Sequence, residues 1–524
     1  NPFVHDVYGG SASNLAQSDD CNESGGIWTT GPTPGGGDAL RCYVGPSVLT
    51  DLDPSCAEPP CPETTINTGG CADCHAPGID GQLGGRGLHE ARGFAYDYGV
   101  HCDVCHRVES VHLGDPNPGV AGALDLLRPS DPSSTPRFFD WEPLHFGPNH
   151  DQASPRMGSV QRDHYKNGQI CAGCHELHQP ALVPGTAIDE DRWPDGRLPV
   201  HTTWTEWEQG PFADTVPCNA CHMPPAPDVM NSADLQLFIE NLEPGTVAGW
   251  IKPPGTVKHH SWVGPRTPQS QMLPLSAAVD LSLERRGRQL IATVTTSNVG
   301  AGHRIPTGEP SRSMVLKVNA TCDGIEQPAI GGDVVPLFVG SVASKTAIED
   351  WTTWPEAAPG DVLRVLSQDG WTTYEGFGPF GDGTFTGPAA GLPRWAASSQ
   401  ATVIAVDEAG VVTLDGVLGT GDRAVLARPS SSHAGADAGA PGFAFARVLT
   451  DPAGRAMVPH HLATDVASDN RLAPHEAFTT THTFDADCAE PRVTARLLYR
   501  AQPWWLATEK GWDNPEILIQ EATR

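Results

Sequence analysis

Cys71-Ala72-Asp73-Cys74-His75 is the first of four strings of one form, followed by Cys102-Asp103-Val104-Cys105-His106, Cys171-Ala172-Gly173-Cys174-His175 and Cys218-Asn219-Ala220-Cys221-His222. Two thiols three residues apart with an imidazole directly after the second form the attachment pattern of c-type haem. The thiols make thioethers to the porphyrin vinyls and the histidine ligates iron from one face. With 14 Cys and 21 His in 524 residues, chance placement yields about 0.015 such strings. The reading is therefore four covalently attached haems, with Cys71, Cys74, Cys102, Cys105, Cys171, Cys174, Cys218 and Cys221 as attachment thiols and His75, His106, His175 and His222 as axial ligands. Zinc and disulfides are the competing uses of a Cys-x-x-Cys pair. Zinc needs paired knuckles and gives no reason for a histidine in the fifth position four times over.

The sixth iron position separates an electron carrier from a reactive centre, because a second protein ligand blocks substrate and an open site admits it. Seventeen further histidines are available, and six stand out as distal-ligand candidates. His303 sits in Asn298-Val-Gly-Ala-Gly-His303-Arg-Ile-Pro-Thr-Gly308, a turn rich in Gly and Pro that presents one imidazole at the end of a strand. His260, with His259 as its substitute, follows the fourth motif by about 40 residues. His89 precedes the second motif. His178 lies three residues beyond His175, so a short helix continuing past the motif would point it toward a neighbouring haem. His164 and His5 complete the set, His5 on an N-terminal arm that could reach a haem in another copy of the chain. Met157 is the one thioether alternative. No nucleophile elbow, phosphate loop or metalloprotease helix is present, so any catalysis would occur at iron.

The chain carries 63 acidic against 33 basic residues, a formal net charge of −30, which argues against nucleic acid and anionic membrane surfaces as partners. Six cysteines remain outside the motifs, and their even number suggests three disulfides in an exported protein: Cys21–Cys42, Cys56–Cys61 and Cys322–Cys488. A first residue other than Met fits a mature chain whose signal peptide has been removed. No apolar run reaches the roughly 18 residues a membrane helix needs. The expected location is periplasmic or extracellular.

Three regions differ in texture. Residues 1–65 are rich in Gly, Pro, Ser and Asp and hold four cysteines, which reads as a disulfide-stapled extension. Residues 66–268 contain every motif; Gly and Pro interrupt any helical pattern, and porphyrins would supply the apolar core to a sparse, mostly helical wrapper. From 269 to 524 a two-residue period takes over. Ala277, Val279, Leu281 and Leu283 alternate, a turn at Glu284–Gly287 follows, and Leu290, Ala292, Val294 and Thr296 alternate again. Met314, Leu316, Val318 and Ala320 repeat the pattern, as do Val493, Ala495, Leu497 and Tyr499. The stretch 340–445 reads as loop-heavy, with room for insertions. The expected class is α+β multidomain: a haem-packed domain of short helices and irregular chain, then an antiparallel, Ig-like β-sandwich.

Gly99-Val100-His-Cys-Asp-Val-Cys-His106, Ile170-Cys-Ala-Gly-Cys-His175-Glu, Thr203-Trp-Thr-Glu-Trp207 leading to Cys218-Asn-Ala-Cys-His222-Met-Pro224, and the Gly302 to Gly308 turn together resemble the cytochrome c-554-like family of multihaem cytochromes. The likeness runs from about residue 70 to the end, including Leu497-Leu-Tyr-Arg500. It implies an exported electron carrier with closely stacked haems, mostly with two histidines per iron, and supports His303 and, less firmly, His89 and His260 as ligands. The family's Ser-x-His near the start is missing from Tyr8-Gly-Gly-Ser11-Ala-Ser-Asn14, which throws one ligand onto His5 or elsewhere.

The function expected is multistep electron transfer through four mostly bis-histidine haems, with other redox proteins or further copies of the chain as partners, and an enzyme is the less favoured class. Two alternatives stand beside it. One is a subunit of a polymeric extracellular cytochrome filament; the other is an oxidoreductase acting on a small nitrogen or sulfur species at an open haem.

Overall fold

The computed structural model describes residues 27–32, 38–43, 71–77, 99–126, 144–149, 158–183, 185–227, 253, 255–260, 262, 264, 267, 270–373, 391–429 and 435–524. His5, His89 and Met157 lie outside them, as do Cys21, Cys56 and Cys61, so that neither the Cys21–Cys42 nor the Cys56–Cys61 pairing falls within the described residues. The chain divides into two compact units. The first comprises 1–187, 196–204 and 212–263; the second comprises 188–195, 205–211 and 264–524.

In the first unit the described elements are short. Helices Cys71–His75, Cys102–Cys105, Gln169–His175 and Cys218–His222 carry the four motifs. Strand pairs accompany them: Val108–Val111 with Leu124–Leu126 and Glu176–Gln179 with Leu198–Thr202, both antiparallel, and Leu144–Gly147 with Gly158–Gln161, parallel. A near-N-terminal hairpin joins Ile27–Pro32 to Asp38–Tyr43. The region is thus less helical than the sequence suggests, because every motif helix stops within two turns and the chain turns into extended segments. A small apolar cluster of Val104, Val108, Leu124, Leu126, Phe146 and Tyr165 lies between the second motif and the third.

The second unit is built on antiparallel strands. One sheet runs in the order Ala329–Gly332, Ala477–Asp485, Gln289–Asn298, Ala277–Arg286. Another runs Asp465–Asp469, Gly442–Thr450, Ser313–Cys322, Arg492–Arg500, Ile517–Thr523. The alternation read from sequence sets which faces are buried. Leu290, Ala292 and Val294 of the first sheet share one core with Met314, Leu316, Val318, Val493, Ala495 and Leu497 of the second. The first hairpin turns later than expected. Arg286 pairs with Gln289, so Gly287, with φ +63°, and Arg288 form a two-residue connection.

The stretch 340–445 is a correction to the sequence reading. It contains a five-stranded sheet in the order Ala343–Thr346, Arg423–Ala427, Val362–Thr373, Gly391–Val406, Val412–Leu414. Trp354, Leu363, Val403, Ala424 and Leu426 form a core on it. Cys322 and Cys488 are disulfide-bonded, tying the end of one strand to the loop before Arg492–Arg500. Among the described residues no helix is long and apolar enough to cross a membrane.

Candidate functional site

Each motif places its first cysteine, second cysteine and histidine at i, i+3 and i+4, so a single helical turn brings all three to one side of the helix. In the second motif His106 is the C-cap of Cys102–Cys105, its amide donating to the Cys102 carbonyl at 2.9 Å. The His106 ring is fixed from outside the motif. Its Nδ1 donates to the Phe146 carbonyl at 2.7 Å, and the Phe146 amide donates back to the His106 carbonyl at 2.8 Å. A backbone bond of this kind leaves Nε2 as the ligating nitrogen and sets the ring's orientation.

Tyr165 links the motifs. Its ring stacks on His106 with centres 6.0 Å apart and planes 9° apart, and its hydroxyl donates to the carbonyl of Cys105. Its own carbonyl accepts from Nδ2 of Asn219 in the fourth motif at 2.8 Å. Glycines permit the close approaches. Gly168, at φ +83°, precedes the third motif helix, and a Cβ there would lie 2.8 Å from the Sγ of Cys218. Gly119, at φ +60°, would set a Cβ 3.0 Å from the Sγ of Cys74. Only glycine gives both the left-handed backbone and the clearance.

The sulfur chemistry follows from burial. None of the six motif cysteines from the second, third and fourth motifs is in a disulfide bond. Cys105 has its pKa pushed up to about 11, by burial first and then by Cys174 and Cys102. Cys171 is hydrogen-bonded to Cys218; that bond, followed by burial, raises Cys171, while the same bond lowers Cys218. A nucleophilic or redox cysteine needs a depressed pKa, and Cys105 and Cys171 have the opposite. Among the described residues no three ligand atoms that include a motif cysteine lie within 4.8 Å of one another.

The other histidines fall in varied settings. His260 has its Nδ1 against the Lys258 carbonyl at 2.8 Å and Trp262 edge-on to its ring. His164 is buried beside Tyr165, its Nε2 donating to the Val108 carbonyl at 3.1 Å, and burial lowers its pKa. His178 lies on the strand Glu176–Gln179 rather than on a continued helix, because the backbone becomes extended at Glu176, φ −129° and ψ 116°. There its Nε2 meets Glu176 Oε1 at 3.0 Å. His175 and His222 have exposed positions.

His303, in the second unit, is held by a network that sequence reasoning missed. Its Nδ1 donates to the Arg304 carbonyl at 2.8 Å, its carbonyl accepts from Asn298 at 2.9 Å, and burial lowers its pKa. The turn around it is tied to Glu206, whose carboxylate accepts from the Arg304 amide and the Thr307 hydroxyl, both at 3.2 Å. Glu206 is fully buried and pairs with Arg471 at 2.6 Å, and Arg471 in turn holds Asp469. The one available signal was Glu206 itself, an acid between two tryptophans in Thr203-Trp-Thr-Glu-Trp207. Its partners lie about 100 to 265 residues away, beyond any local pattern.

No family model and no curated protein matches the chain. Among solved structures it is similar to the crystal structure of a penta-heme cytochrome c552 from Thermochromatium tepidum. The identity is 18% and the TM-score 0.45, over 87% of this chain and 83% of that one.

Proposed function

We propose that this chain is an exported tetrahaem c-type cytochrome that moves electrons stepwise between haems carried by its four motifs. The observation that carries the reading is the set of four complete units, each with two cysteines and one histidine on one helical turn, within one compact unit of the chain. The residues suit the group. Each cysteine pair is spaced to meet the two vinyls of one porphyrin, and the Nδ1 bond of His106 prepares Nε2 to bind iron. When bound, each haem iron would accept and release one electron.

The chain's own residues then have assigned work. Cys71/Cys74, Cys102/Cys105, Cys171/Cys174 and Cys218/Cys221 anchor the porphyrins, and His75, His106, His175 and His222 hold iron from the proximal side. His303, braced by Glu206, is a distal ligand whose orientation is set before the cofactor arrives. The contact of Cys171 with Cys218 supports neighbouring haems whose attachment edges lie side by side, the arrangement that a relay requires. Tyr165 packs the second motif against the fourth and keeps their spacing fixed.

Intact mass of the native protein should exceed the polypeptide mass by four porphyrins, and the alkaline pyridine spectrum should report thioether-bonded haem at four per chain. A native mass equal to that of the bare polypeptide overturns the reading. A ferric high-spin signal that shifts with cyanide or nitrite in the unmodified protein would direct attention to catalysis at an open haem instead.

A further inference from the structure

We propose that His106 and His260 are the two axial ligands of one iron, that of the second motif. The inference rests on the haem reading above and adds to it which distal histidine serves which haem. Both residues belong to the first unit. Their ring centres are 6.4 Å apart with planes inclined by 31°. Two metal–imidazole bonds of about 2 Å on opposite sides of one ion place the ring centres about 6.3 Å apart. The observed spacing suits a shared ion.

The nitrogen bookkeeping agrees. His106 spends Nδ1 on the Phe146 carbonyl and His260 spends Nδ1 on the Lys258 carbonyl, at 2.7 and 2.8 Å. Each ring therefore offers Nε2, in the tautomer that leaves it unprotonated for a metal. Each ring is also held by an aromatic neighbour. Tyr165 stacks on His106, and Trp262 stands at 88° to His260 with ring centres 5.5 Å apart. The segment bearing His260 is tied to the residues just after the fourth motif. The Ala226 amide donates to the Val257 carbonyl at 2.8 Å and the His259 amide to the Pro224 carbonyl at 2.9 Å. These bonds hold the backbone of the segment from which His260 approaches His106.

One consequence is topological. A haem covalently attached at Cys102 and Cys105 would be grasped by a residue beyond the fourth motif, so the iron closes a loop that spans the third and fourth motifs. That haem would be six-coordinate and low-spin, closed to small exogenous ligands.

The test uses the holoprotein carrying His260→Ala, with His259→Ala as its control. Haem content is measured first, by intact mass and the pyridine spectrum. In His260→Ala, one of the four ferric haems should turn high-spin in electron paramagnetic resonance, bind one equivalent of cyanide, and return to low spin with added imidazole. His259→Ala should keep the parent spectrum. His260→Met, which retains a sixth ligand, should stay low-spin with one raised potential. Repeating His260→Ala in a Cys102→Ser/Cys105→Ser background, with three haems, should give no new high-spin signal. A fully loaded His260→Ala that stays wholly low-spin overturns the pairing. So does a new high-spin haem in the three-haem background, or in His259→Ala alone. A parent protein without thioether haem overturns the functional reading itself, an outcome the initial mass measurement separates from the others.

Discussion

His482 illustrates how single buried groups set the chemistry of the second unit. It is fully buried, its Nδ1 donating to the Asp333 carbonyl and its Nε2 accepting from the Thr480 hydroxyl, both at 2.9 Å. Burial, only partly opposed by Asp333, holds its pKa at about 4. The native state therefore keeps a neutral ring where the unfolded chain would bind a proton below its ordinary value of 6.5. The stability this contributes is complete above pH 6.5 and is lost as pH falls toward 4. Melting temperature measured from pH 7 to 4 should decline, and His482→Gln should make that decline shallower; an unchanged slope would show that other groups govern it. The motif cysteines and histidines were plain in the sequence because their spacing is local. The Glu206–Arg471–Asp469 network was not, because its charges meet only after the chain has folded.

At the scale of elements, legibility followed the regularity of the period. Gln289–Asn298 alternates without interruption, with Leu290, Ala292, Val294, Thr296 and Asn298 all buried, and its role is evident from sequence. Val362–Thr373 hides its pattern. Its register shifts between Val365 and Leu366, which buries two consecutive residues, and again between Gln368 and Trp371. Its partner Gly391–Val406 includes a proline and, at Ala396–Thr402, a run of small and polar residues without alternation, so the five-stranded sheet reads as loop. The Cys322–Cys488 bond spans 166 residues and clamps the main core at its edge. Replacing both cysteines by serine should cost about 2–5 kcal/mol, because the unfolded chain regains the entropy of a long open loop. Denaturant titration of the double variant, followed by near-ultraviolet circular dichroism, measures it. A midpoint equal to that of the parent would assign the bond no stabilising part.

Over the whole molecule the net charge of −30 dominates encounters. Cationic small reductants should reduce the protein faster than anionic ones of equal driving force at low salt, and the ratio should collapse as the Debye length shrinks to about 8 Å near physiological ionic strength. Stopped-flow reduction with such a pair at several salt concentrations tests this; rates indifferent to salt would place electron entry at a neutral patch. The hydrogen bond between Cys171 and Cys218, with Cys105 buried nearby, bears on biogenesis. In the compact chain Cys105 and Cys171 are held protonated, and a protonated sulfur is a poor nucleophile toward a vinyl group. Under the proposed haem attachment, ligation would come before tertiary closure, and a polypeptide that collapses first would be withdrawn from maturation.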